Sequence, residues 1–106
     1  MQQNILKAVL GGPLSFSVDH KVNGEAYQLK TGEKYRIRIK KRIRDNMVVE
    51  QTSDSDYFEE FDPGLPVGKY YFEIELINAN NDARVISPAC DTDGQRINTL
   101  HILEKL

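Results

Sequence analysis

Apolar and polar residues alternate with a period of two along most of this chain. That spacing sends successive side chains of a strand to opposite faces of a sheet. From Leu14 to Val22 (LSFSVDHKV), Phe16, Val18 and His20 fall on one face and Ser15, Ser17, Asp19 and Lys21 on the other. Asn23-Gly24 follows, a pair that tolerates the positive φ of a type I′ turn, so Glu25 to Leu29 is predicted as the returning strand. After a turn at Thr31-Gly32-Glu33, Lys34 to Arg44 (KYRIRIKKRIR) places Tyr35, Ile37 and Ile39 opposite Arg36, Arg38 and Lys40. The pattern slips at Lys40-Lys41-Arg42, where a bulge or the strand end would return Ile43 to the apolar side.

The second half repeats the theme. Asp45-Asn46 predicts a turn before a short strand from Met47 to Gln51, and Tyr57-Phe58 a further one, with Phe61 turned back to the core. Lys69 to Asn78 (KYYFEIELIN) sets Tyr70, Phe72, Ile74 and Leu76 against Tyr71, Glu73 and Glu75. Asn80-Asn81-Asp82 reads as a hairpin tip, Ala83 to Ser87 as its return, Pro88 to Asn98 as a loop and Thr99 to Leu106 as a last strand. Asn4 to Leu10 fits a helical turn or an edge strand. No segment repeats its apolar positions at helical spacing better than it alternates. The expectation is one all-β domain over 1–106, with 1–13 as an N-terminal arm: an Ig-like antiparallel β-sandwich of about seven or eight strands. Its expected core contains Phe16, Val18, Tyr35, Ile37, Ile39, Tyr70, Phe72, Ile74, Leu76 and Ile102.

Composition narrows the classes. The 106 residues are 40% hydrophobic and 28% charged, a globular balance. No apolar run approaches the roughly 18 residues of a membrane span. The net charge of −2 argues against nucleic-acid binding through bulk charge. A single cysteine, Cys90, excludes an internal disulfide and a cysteine-based zinc site. The N-terminus lacks the basic start and long apolar stretch of a secretory signal, so a cytoplasmic origin is expected.

Charge is segregated along the chain. Lys30 to Arg44 holds eight bases and one acid, Glu33, whereas Asp45 to Asp62 holds seven acids and no base. Arg36, Arg38 and Lys40 are expected to pair across strands with Glu73 and Glu75 or with the acidic stretch. The competing reading is a docking surface of Lys34, Arg36, Arg38, Lys40 and Arg42 with Asp54, Asp56, Glu59 and Glu60.

Candidate chemistry is sparse. His20 and His101 both fall inside predicted strands, and neither belongs to a nucleophile motif. Gly11-Gly12-Pro13 lacks the spacing and lysine of a phosphate loop. Cys90 beside Asp91 gains no help in ionising. Asp91-Thr92-Asp93-Gly94 is superficially similar to a calcium loop but lacks the remaining carboxylates and the closing Glu. No catalytic residue, cofactor or metal is therefore expected. Tyr57, Phe58 and Tyr71 supply aromatic area for stacking on a sugar, with core packing as the alternative.

Four segments carry a resemblance: Val22-Asn23-Gly24-Glu25-Ala26-Tyr27-Gln28-Leu29, Gly32 through Lys41, Leu65-Pro66-Val67-Gly68-Lys69-Tyr70 leading on to Leu76, and Ala83 to Pro88. Over about residues 14–88 the chain resembles the N-terminal Ig-like domain of baseplate upper proteins from phages and prophages of Gram-positive bacteria. That resemblance implies a non-enzymatic attachment module in a virion assembled in the bacterial cytoplasm. Its partners would be other baseplate proteins or its own copies, as a trimer in well-known members, and neither nucleic acid nor membrane is implied. Thr31 to Ile39 with Leu65 to Leu76 is also similar to the sugar-binding sandwich attached to polysaccharide exporters. The alternative it implies is a carbohydrate-binding module.

Overall fold

The computed structural model describes residues 4–42, 49–90 and 97–105, and every regular element among them is a strand. The strands are β1 (Asn4–Val9), β2 (Leu14–Ser17), β3 (Lys21–Val22), β4 (Glu25–Ala26), β5 (Lys34–Lys40), β6 (Val49–Ser53), β7 (Tyr57–Phe61), β8 (Gly68–Ile77), β9 (Ala83–Ser87) and β10 (Asn98–Leu103). The predicted turn at Asp45-Asn46, the position of Ile43 and the Asp91 to Gly94 segment lie outside the described residues.

The main sheet runs β1-β10-β8-β5-β6, with β9 also on β8. β8 is the spine. One of its edges pairs with β5 along Lys34↔Ile77 to Lys40↔Tyr71. The other edge is shared in tandem: β10 covers Gly68 to Tyr71 and β9 covers Ile74 to Ile77. Asn98 holds this junction. It is fully buried. Its Nδ2 donates to Ser87 Oγ (2.8 Å) and to the carbonyls of Pro88 (3.0 Å) and Ser87 (3.3 Å), and its Oδ1 accepts from Asn4 Nδ2 (2.9 Å).

The alternation places the core. Tyr35, Ile37 and Ile39 on β5, Tyr70, Phe72, Ile74 and Leu76 on β8, and Leu100 and Ile102 on β10 are buried on one face. The separate β2–β7 ribbon contributes Leu14 and Phe58 to that core, with Phe58 stacked on Phe16 at 4.6 Å between ring centroids. The burial of Ile37 and Phe72 fixes the register, because a one-residue slip would have exposed both. Asn23 (φ 54°) and Gly24 (φ 83°) carry the β3–β4 turn with both φ positive, as a type I′ turn requires.

Several expectations change. There are ten strands among the described residues, and they are not all antiparallel: β1 runs parallel to β10. Asn4–Val9 is thus the edge strand of its two readings. The Leu14–Val22 strand breaks: β2 ends at Ser17, the Val18 N–H makes one last bond across the ribbon to the Asp56 carbonyl, and His20 turns toward Tyr35. The return after Asn23-Gly24 ends at Ala26, with one further backbone bond from the Tyr27 N–H to the His20 carbonyl at 2.8 Å. β5 stops at Lys40 and β10 at Leu103, short of the predicted Arg44 and Leu106. Phe16 and Val18 are only partly buried, since the two-stranded ribbon does not cover the whole inner face.

Candidate docking surfaces

The outer face of the main sheet carries a ladder of charge. Register puts Arg36 opposite Glu75 and Arg38 opposite Glu73 on β8, and Arg38 opposite Glu50 on β6. Arg36 Nε donates to Glu75 Oε1 at 2.9 Å and lies 3.5 Å from Glu50 Oε2. Arg38 reaches Glu50 (3.7 Å), Glu75 (3.8 Å) and Glu73 (3.9 Å), and Lys40 Nζ stands 3.5 Å from Glu73. Three cations thus face three carboxylates. Glu75 is only 5% exposed although it points outward, because the two guanidinium groups lie beside it. The hydrogen bond to Glu75 raises the affinity of Arg36 for its proton further, against the effect of desolvation. Arg38 Nε is buried with no hydrogen-bond partner among the described residues, held between carboxylates by charge alone.

The expected cross-strand pairing of Arg36, Arg38 and Lys40 with Glu73 and Glu75 is therefore present, joined by Glu50. The other expected docking residues lie apart from it. Lys34 begins β5 on the same face, and Arg42 is exposed beyond the strand end. Asp54 and Asp56 are exposed where the chain crosses from β6 in the main sheet to the ribbon, and Glu59 and Glu60 are exposed on β7 itself. Among the described residues none of these four carboxylates takes part in an ion pair. Hydroxyls shape the crossover: Ser53 Oγ and Ser55 Oγ donate to the Tyr57 carbonyl at 2.6 and 3.1 Å.

The proposed stacking platform is not assembled. Phe58 is 1% exposed within the core, whereas its strand neighbour Tyr57 is 44% exposed on the opposite side of β7. Tyr71 belongs to the outer face of β8, across from Lys40. Alternation along β7 alone predicts that Tyr57 and Phe58 cannot share a face.

A polar cluster unforeseen in the sequence fixes the loops over β5. His20 Nδ1 lies 3.0 Å from Tyr35 Oη, and the His20 ring packs on Tyr27 at 4.7 Å. Tyr27 Oη donates to both Glu33 oxygens (2.8 and 3.1 Å), and the Lys30 N–H adds a third bond at 2.7 Å. Burial, then the charge of Arg84, lowers the His20 pKa, opposed by Glu33. The Lys30 N–H and the Tyr27 hydroxyl lower that of Glu33. A neutral His20 accepting from the Tyr35 hydroxyl satisfies both groups. The cluster staples loop to sheet. Among the described residues no three His, Cys, Asp or Glu side chains converge as metal ligands, and no helix is long and apolar enough to cross a membrane.

At the far edge of the sheet, β1 exposes Ile5, Val9 and the following Leu10, beside Leu103 of β10. A cleft of about 290 Å³ opens next to Asn4–Leu6, floored by Phe72 and Ile74 and walled by Phe16, Val18 and Ile86. No family model, curated protein or solved structure matches this chain.

Proposed function

We propose that the chain is a non-enzymatic attachment domain, built as an Ig-like sandwich, that docks on other virion proteins or on copies of itself. The observation carrying this reading is the β6–β7 crossover. With the β7 strand that follows, it presents four exposed carboxylates without ion-pair partners among the described residues, while Arg36, Arg38 and Lys40 of the neighbouring basic strand are engaged by their own glutamates. Unpaired charge held on a fixed corner attracts a basic partner surface and orients it. Two features support the Ig-like description. Part of the inner face of the main sheet is covered by a second β layer, the β2–β7 ribbon. In addition, Tyr70 Oη donates to the Pro66 carbonyl four residues upstream at 2.7 Å, the corner bond such sandwiches use at the start of a long strand.

Molar mass in solution at low and high salt tests the reading. The expected result is a mass above the 12.1 kDa of one chain at low salt, reduced by high salt and by the triple variant Asp54→Lys, Glu59→Lys, Glu60→Lys. A monomer under all conditions refutes docking between copies. The same triple variant then tests any virion partner, whose binding it must weaken if the crossover is the contact.

A further inference from the structure

β1 is an open edge with its hydrogen-bonding phase fixed by the bonds that flank it. Asn4 N–H donates to the Ile97 carbonyl and Leu10 N–H to the Leu103 carbonyl. In a parallel ladder alternate residues bond to the neighbour, so Asn4, Leu6, Ala8 and Leu10 turn their amides toward β10. Ile5, Lys7 and Val9 turn theirs outward. Among the described residues only the Val9 carbonyl is used there, by Gly12 N–H at 2.7 Å. The N–H and C=O of Ile5 and Lys7 therefore form a two-residue template for another strand. Their side chains read apolar, basic, apolar along the outer face, and Ile5 is 53% exposed. Leu6 points the other way, toward the core and the cleft.

We infer that this edge receives an extended segment of a partner protein, one that sets an acidic residue against Lys7 and apolar residues against Ile5 and Val9. Backbone pairing along Ile5 and Lys7 supplies the affinity, as in other complexes made by strand addition. The Lys7 ammonium selects a carboxylate opposite it. The incoming residue that lies against Leu6 faces inward. The cleft beside Asn4–Leu6 has an apolar floor of Phe72 and Ile74 and the size to take a single apolar side chain. A second copy of β1 is a poor occupant. A twofold antiparallel pairing that keeps Ile5 against Val9 must set the two Lys7 side chains opposite each other. The inference rests on reading the chain as a docking domain but uses the sheet edge opposite β6.

A displayed library of heptapeptides alternating apolar and variable positions tests this directly. On the wild-type chain, sequences with Asp or Glu at the centre and apolar residues two positions to either side should enrich at least about tenfold over their scrambles, the scale of one good cross-strand set. Lys7→Pro removes an outward N–H without touching the ladder to β10 and should abolish that binding. Lys7→Glu keeps the backbone and should reverse the preference to a central Lys or Arg, which guards against misreading a folding defect. No enrichment, or enriched peptides that bind Lys7→Glu and wild type equally, overturns the inference. Neither outcome depends on the acidic crossover, so the two docking readings fail separately.

Discussion

Removing the charge of Glu75 is the sharpest perturbation of the outer face. Its Oε1 accepts from Arg36 Nε at 2.9 Å and stands 3.8 Å from Arg38 Nε, and its side chain is 7% exposed. Glu75→Gln keeps the shape and leaves two guanidinium groups facing a neutral amide. Breaking a fully buried pair costs about 3–5 kcal/mol, and breaking a surface pair about 0–1 kcal/mol. Here one partner is buried, while Arg36 and Arg38 are 23% and 31% exposed, so water recovers part of their solvation. The expected loss is about 2 kcal/mol, a fall in Tm of roughly 10 °C for a domain of this size. Urea unfolding of wild type, Glu75→Gln, Arg36→Met and the double variant yields the coupling, expected at about 1–2 kcal/mol. At 1 M salt the Debye length shrinks to about 3 Å, so the part contributed by exposed Glu50 should fade while the Glu75 part persists. A Glu75→Gln cost under about 0.5 kcal/mol, or a coupling near zero, would show that the ladder is solvated decoration.

Four further outcomes follow from single contacts. Tyr70→Phe leaves the Pro66 carbonyl without its donor and should cost about 1 kcal/mol by denaturant unfolding, with no change in m. Gly32→Ala should destabilise by more than Gly24→Ala: both have φ near +85°, but only at Gly32 would the new Cβ meet Ala79 Cβ at 2.8 Å, so equal thermal shifts would contradict the packing. Asn98→Ala strips the bonds that join β1, β9 and β10 and should cost about 2–3 kcal/mol, opening that junction first in hydrogen exchange. Because the folded His20 pKa lies below its usual 6.5, the unfolded chain binds the proton more tightly. Its contribution to stability is complete above that value and is lost as pH falls toward the folded pKa, so an NMR titration placing His20 above 6.5 would refute the burial argument.

The long strands were legible because alternation and burial agree there. In β5 and β8 every second residue is apolar, and one face is the core. The same reading located the charge ladder, since cross-strand partners follow once the register is set. Other parts depend on contacts distant in sequence. Nothing local shows that Asn4–Val9 pairs in parallel with a strand more than ninety residues away. Phe58 looks like Tyr57 in composition, and only its place opposite Phe16 buries it. Asn98 sits in a polar loop pattern, yet three elements converge on it. The His20 cluster is hidden for a related reason: the backbone leaves the ribbon after Val18 and carries His20 across to Tyr35.

The fold assigns the two signs of charge to different tasks. Arg36, Arg38 and Lys40 on β5 are opposed within about 4 Å by Glu50, Glu73 and Glu75, so the centre of the basic run in the sequence does not become a basic surface. The acids from Asp54 to Glu60 share no strand register with that run, because the chain changes layer between β6 and β7. Among the described residues none of them is held in an ion pair. At the opposite edge, Lys7 stands between apolar neighbours on the edge strand, which is paired on one side only among the described residues. A lysine in that position protects an edge from indiscriminate pairing and still admits a strand that brings a carboxylate. In the two proposed readings both surfaces select by charge, one through an acidic corner and one through a guarded backbone, on either side of a ladder that is neutral in itself.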